Sequence, residues 1–89
     1  MRTARLDAEL PDKAAALARI AAELGLGAAP PRNLDALWDV LRGDVPGPFA
    51  IVWRDHARAR ARLGTDYDAL CALLRRLAAE RPDFTFTLA

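Results

Sequence analysis

The sequence predicts an α/β protein in which helices pack on a small parallel sheet of three strands. Strand-forming patterns occur in three segments: a weak alternation over residues 2–6, the apolar run Phe49–Trp53, and an alternating segment at residues 83–88. Helical segments separate them, as parallel neighbours require. We expect the 89 residues to form one domain over residues 1–89, because so small a core cannot be divided.

The first helix is predicted over residues 12–24, where alanines favour helix formation. Its apolar residues recur at helical spacing at Leu17, Ile20, Ala21 and Leu24. Gly25 and Gly27 are expected to end this helix. Adjacent prolines in residues 28–32 restrict their own backbone and that of the preceding residue, so we expect an extended connector there.

A second helix is predicted from Asn33, whose side chain suits the N-cap, to Gly43, which is expected to terminate it. Its apolar face consists of Leu34, Leu37, Trp38 and Leu41. Asp35, Asp39 and Arg42 line the adjoining flank. The macrodipole favours Asp35 near the helix start, but Asp39 has no such structural reason. The two acids therefore indicate either a binding surface or a solvated acidic face.

The second half of the chain continues the alternation of strand and helix. Phe49–Trp53 predicts a strand covered on both faces, and His56–Leu63 predicts a short helix. The last helix is predicted to begin with Thr65 as its N-cap and Asp68 as the capping-box partner, and to end near Glu80. Its buried stripe is predicted to comprise Tyr67, Leu70, Cys71, Leu74, Leu77 and Ala78.

The composition argues against an enzyme. The chain has no serine, and His56 and Cys71 are its single histidine and cysteine, so neither a nucleophile–base pair nor a metal-ligand cluster is expected. No glycine-rich phosphate loop precedes a helix, and we expect no cofactor. We see neither a signal peptide nor an apolar run that could span a bilayer, which predicts a cytoplasmic protein that does not associate with membranes.

Several segments match one known family. They are the run Asn-Leu-Asp-Ala-Leu-Trp-Asp at residues 33–39, Gly43, residues 48–54, and the late helix with Leu70, Leu74 and Arg75. Together these resemble the barstar family of intracellular inhibitors of secreted microbial ribonucleases such as barnase. The resemblance extends over nearly the whole chain. It implies a monomeric inhibitor that forms a one-to-one complex with a secreted, guanyl-specific, barnase-like ribonuclease and does not bind nucleic acid itself.

The resemblance also implies which residues bind the ribonuclease. Asp39 is expected to be the main anchor and Asp35 to support it, since carboxylates on a rigid helix can replace phosphates in a cationic active site. Trp38 is expected to hold the helix down and to present its edge to the partner, although core packing alone would also explain it. The complete predicted binding set is Asn33, Asp35, Trp38, Asp39, Arg42, Asp44 and Glu80.

Some positions depart from the family pattern. Aromatics and a glycine that often precede the asparagine are replaced by residues 29–32, and a family aromatic after the motif helix is replaced by Asp44. Arg76 stands where the family has an acid, and it would repel a cationic cleft. We therefore expect a different ribonuclease as the partner, with Asp44 supplying a third acid.

Two alternative functions remain open. The basic segment at residues 54–62 could bind nucleic acid, but its arginines recur every second residue, which spreads them around a helix, and no exposed aromatic accompanies them. A solvated short helix, or salt bridges to Asp55 and Asp66, is the structural explanation of the same arginines. The other alternative is an immunity protein that neutralises a toxin other than a ribonuclease through the same acidic helix.

Overall fold

The computed structural model of the protein describes residues 1–27 and 29–89. Its elements in chain order are β1 (Arg2–Leu6), α1 (Lys13–Leu24), α2 (Leu34–Gly43), β2 (Phe49–Trp53), α3 (His56–Leu63), α4 (Thr65–Glu80) and β3 (Phe84–Leu88). These bounds confirm the predicted order and type of every element. Ala28, in the predicted connector, lies outside the described residues.

The three strands form one parallel sheet in the order β1-β2-β3. Trp53 at the end of β2 is paired with Leu6 of β1 on one side and Leu88 of β3 on the other. The central strand is buried along nearly its whole length, which explains its unbroken apolar sequence. The predicted α/β fold with a three-stranded parallel sheet is therefore confirmed.

Leucines from three helices fill the core around this sheet. Helix α1 packs on β1, whereas α4 packs on β3 and also supports α2 and α3. The fully buried leucines of these helices are Leu17 and Leu24 of α1, Leu37 and Leu41 of α2, and Leu70, Leu74 and Leu77 of α4. Burying one such side chain contributes about 1.5–3 kcal/mol. Helix α2 is thus seated on another helix, so its outer flank faces away from the core.

The first two helices both have side-chain N-caps, of which the one at Asn33 was predicted. The Asp12 side chain accepts a hydrogen bond of 2.8 Å from the Ala15 backbone, and the Asn33 side chain accepts one of 2.8 Å from Ala36. At the other end of α1, Gly25 takes the left-handed conformation with a φ of 68°. Both helix starts are therefore held by side chains next to them in sequence.

Helix α2 ends at Gly43, as predicted, but Gly43 does not adopt the left-handed conformation in which glycine often ends a helix. Gly43 is the last residue of α2, and the C-cap is Asp44, which has a φ of −104° and donates its N–H to the Val40 carbonyl at 2.8 Å. A side chain at position 43 would have no neighbour within 4 Å. The turn after α2 therefore does not require a glycine at this position.

The capping box predicted at Thr65 is wrong. Gly64 alone connects α3 to α4, with a φ of 60° that favours glycine, and Thr65 is already the first residue of α4. The Gly64 carbonyl accepts the N–H groups of Tyr67 at 3.1 Å and Asp68 at 3.3 Å. The Asp68 carboxylate instead pairs with Arg60 at 3.5 Å. Because a single residue connects the two helices, Gly64 occupies the N-cap position of α4, and it has no side chain that could accept a capping hydrogen bond.

Arg81 joins the end of α2 to the start of β3. Its Nη1 donates to the carbonyls of Leu41 and Val45, both at 2.9 Å, and its Nε and Nη2 donate to Asp83 at 2.9 and 2.7 Å. The guanidinium also lies 4.9 Å from the centre of the Phe49 ring. One side chain therefore links a helix end, a strand start and the central strand.

Replacing Arg81 with methionine should lower the free energy of unfolding by about 1–3 kcal/mol, because two partly buried carbonyls lose their donor. Urea denaturation measures the change. Arg81→Lys keeps the positive charge but not the fork of donors, so it should recover only part of the loss. An Arg81→Met variant as stable as the parent would show that these hydrogen bonds do not support the fold.

The same ion pair predicts a pH dependence of stability. Hydrogen bonds from Arg81 hold the pKa of Asp83 below its ordinary value in the folded chain. The pair therefore stabilises the fold at pH values above the pKa of the unfolded carboxyl, and this contribution is lost as pH falls through the folded pKa. Measured against Asp83→Asn, the stability advantage of the parent should be present at neutral pH and close in acid. An advantage that stayed constant down to strongly acidic pH would contradict the assignment.

Candidate functional site

The acidic flank of α2 is the first candidate site. We use this name for Asp35 and Asp39 on the helix together with Asp44 at its C-cap. All three residues are exposed, while Leu37 and Leu41 on the opposite face are fully buried. The carboxylates of Asp35 and Asp39 therefore project from a helix whose position is fixed by its core contacts.

These three carboxylates form no ion pair with the other residues that the structure describes. Each ion pair found among those residues involves a different acid. Arg42, which the sequence places on the flank beside Asp35 and Asp39, instead directs its Nε to Glu80 at 3.6 Å. The end of α4 passes beside the end of α2, and this brings Glu80 within reach. The flank thus retains its negative charge.

Trp38 combines core packing with partial exposure. It is half-buried and packs against the hydrophobic core, as its place on the apolar face predicts. The guanidinium of Arg76 covers its ring, with Cζ 4.6 Å from the ring centre. Arg76 also lies 3.7 Å from Glu80, which contacts Arg42 as well. Glu80 therefore holds two arginines at the edge of the acidic flank.

Sequence reasoning treated Arg76 only as a repulsive charge. Its spacing of four residues from Glu80 on one helix is a signal for the ion pair. Its contact with Trp38 depends on how α2 and α4 pack, so no local pattern could have indicated it. The structure thus presents Arg76 as a group fixed on an aromatic ring and partly neutralised by Glu80.

A groove of about 300 Å³ runs between α2 and α4 beside the acidic flank. It is lined by Leu34, Asp35, Trp38, Ala72, Leu73 and Arg76. Asp35 and Trp38, both in the predicted binding set, share this groove. Ala72 and Leu73 were missed, because sequence reasoning treated α4 as a buried stripe and not as one wall of a groove.

The arginines proposed as a nucleic-acid surface are largely engaged within the protein. Arg58 pairs with Glu9 at 3.5 Å and with Asp55 at 3.7 Å. Arg60 pairs with Asp68 at 3.5 Å, and Arg62 donates to the Glu9 carbonyl at 3.4 Å. Asp55 is a partner as expected, whereas Asp66 takes no part in the ion pairs found between described residues. This arrangement favours the structural explanation of the basic segment.

The described residues contain no group of three or more histidine, cysteine, aspartate or glutamate side chains that could hold a metal ion.

Cys71 is buried on α4, as predicted, and burial raises the pKa of its thiol. In the part of the chain that the structure covers, no helix is both long enough and apolar enough to cross a membrane.

Removing the Arg76 side chain should uncover Trp38. In Arg76→Ala we expect tryptophan emission to shift to longer wavelength and acrylamide quenching to increase, because Trp53 is fully buried and supplies a constant background. Stability should fall by about 0.5–1 kcal/mol from the lost cation–π contact. Arg75→Ala, the neighbouring arginine on the same helix, is the matched control. Equal quenching in the parent and in Arg76→Ala would contradict the stacked arrangement.

Comparison of the sequence with models of known protein families gives a match over all 89 residues. The family model described as Barstar (barnase inhibitor) matches residues 1–89. The chain therefore belongs to the Barstar family, which confirms the resemblance that several of its segments carry. Membership implies a function of the barnase-inhibitor type.

Proposed function

We propose that this member of the Barstar family inhibits a secreted microbial ribonuclease by inserting the acidic flank of α2 into the active site of that enzyme. The observation that carries the proposal is a set of three exposed carboxylates, Asp35, Asp39 and Asp44, that have no ion-pair partner among the described residues. Family membership supports the class of partner. In this proposal the chain is a stoichiometric inhibitor and not an enzyme.

The chemistry of the target explains why carboxylates are suitable. A ribonuclease must hold a phosphodiester and stabilise the extra negative charge of its transition state, so its cleft is cationic. Carboxylates facing arginine, lysine and histidine side chains form short, charge-assisted hydrogen bonds in place of phosphates. The negative flank also steers the encounter and speeds association. RNA cannot enter while the helix occupies the cleft.

The fold lowers the entropic cost of this contact. Asn33 caps the start of α2, Leu37 and Leu41 anchor its inner face, and Arg81 holds its end. Because the helix is ordered before binding, little conformational freedom is lost on association. By its matching position in the family motif we assign Asp39 as the anchor, and Asp35, one helical turn away, as its support.

The edge of the flank suggests how the partner differs from the usual target of the family. Trp38, Arg42, Arg76 and Glu80 form a rim that carries both signs of charge. Arg76 disfavours a partner whose cleft stays cationic beyond the α2 contact. We therefore propose that the partner is a barnase-like ribonuclease whose active-site cleft has a less basic border. We further propose that this chain acts in the cytoplasm, where it protects the cell that produces the ribonuclease.

Asp39→Ala should weaken binding of the ribonuclease by about 3–5 kcal/mol, a loss of more than a hundredfold, since a cationic group in the cleft would be left unpaired. The measurement is inhibition of RNA cleavage by a ribonuclease co-purified with the chain. Asp39→Asn keeps the shape but removes the charge, and it should also bind weakly. Asp66→Ala, on α4, is the control. If Asp39→Ala inhibits as well as the parent, the site assignment is wrong; if the co-purified partner cleaves no RNA, the target class is wrong.

Asp44→Lys tests the third acid separately. We expect weaker inhibition and slower association, most clearly at low salt, because the reversal places a positive charge beside a cationic cleft. Titration of the same ribonuclease at two salt concentrations measures the effect. Unchanged affinity would remove Asp44 from the site without affecting the assignment of Asp39.

A further inference from the structure

A second cavity, of about 570 Å³, lies on a different part of the molecule. Its polar lining consists of His56, Arg60, Tyr67, Asp68, Cys71 and Arg75. It opens where two strands end: Leu88 is the last residue of β3, and His56 lies three residues after the end of β2. All of its lining residues come from α3, α4 and β3, so it is separate from the acidic flank.

The inner wall of this cavity is rigid. Tyr67 is buried, and its ring packs edge-on against Trp53 with ring centres 4.9 Å apart. Trp53 is fixed in turn by donating its indole N–H to the Asp7 carbonyl at 3.2 Å. The Tyr67 hydroxyl lies 3.4 Å from Nδ1 of His56. The hydroxyl and the imidazole are therefore held together before any ligand arrives.

The lining is rich in hydrogen-bond donors and carries net positive charge. Arg60 and Arg75 contribute two cations, and Asp68 is the only acid among the lining residues and pairs with Arg60 at 3.5 Å. Burial raises the pKa of Tyr67 to about 12, so its hydroxyl keeps its proton at neutral pH. Within the described residues, Arg75 has no ion-pair partner. An anion with several acceptor oxygens complements these groups.

We propose that this cavity binds the phosphate group of a small phosphomonoester, with Arg75 and Arg60 pairing with its oxygens and the Tyr67–His56 pair donating a further hydrogen bond. Arginine forks suit the oxygens of a phosphate. The volume lies within the range of small-molecule sites and exceeds what a bare phosphate fills. Ala57 and Leu88 offer apolar surface to the esterified group. The proposal goes beyond ribonuclease inhibition and does not rest on it.

The test is a titration of the full chain with inorganic phosphate and, separately, with phenyl phosphate. The imidazole signals of His56 report on binding without ambiguity, since the chain has one histidine. We expect saturable shifts, with phenyl phosphate binding more tightly than inorganic phosphate. Arg75→Gln should weaken binding about tenfold or more, because a charge-assisted hydrogen bond is lost. Arg75 is exposed, so this variant should fold as the parent does.

Arg54→Gln is the matched control, because Arg54 is an exposed arginine two residues before His56 that does not line the cavity. Its phosphate affinity should equal that of the parent. Absence of saturable shifts would overturn the proposal, as would an equal loss in the Arg54 and Arg75 variants, which would indicate unspecific attraction. A third titration uses short single-stranded RNA in place of the phosphate compounds. RNA binding that strengthens with length and falls steeply with salt would identify a nucleic-acid surface and overturn the small-ligand proposal.

Discussion

The seating of α2 on α4 is the constraint on which the candidate inhibitor surface depends. Leu37 and Leu41 are fully buried, and Arg81 binds the Leu41 and Val45 carbonyls where the helix ends. Carboxylates on a mobile segment would lose conformational entropy on binding and would weaken the complex. Because α2 is held by its inner face and its end, its outer flank can remain polar, exposed and rigid at the same time.

Charge is distributed by position more than by amount. The formal net charge is only +1, yet the acids of the α2 flank have no ion-pair partner among the described residues, whereas Glu80 joins Arg42 and Arg76. The carboxylate of Glu80 offsets part of the positive charge of Arg42 and Arg76, which would otherwise weaken the negative potential of Asp35 and Asp39. A protein of nearly neutral total charge can therefore present a negative surface to a basic partner.

Helix α4 borders two surfaces of different character. Helix α2 lies against α4 and supplies no lining residue to the larger cavity, which forms where β2 and β3 end. The first surface is a convex acidic helix suited to a cationic cleft, and the second is a concave basic cavity suited to a small anion. Because α4 contributes to both surroundings through opposite sides, a substitution on one side need not disturb the other.

Local patterns in the sequence determined the elements, the parallel sheet and the exposed acids of α2, because periodicity and capping act between neighbouring residues. Asn33, Asp35 and Asp39 are examples, since the capping position of the first and the exposure of the other two follow from their places on one helix. Tertiary structure alone decided that Arg42 pairs with Glu80, that Arg76 stacks on Trp38, and that His56 meets Tyr67 in a cavity. These contacts join side chains distant in sequence, and their geometry depends on how whole helices pack. The same reason explains the failed cap at Thr65, where the one-residue connection at Gly64 set the helix boundary.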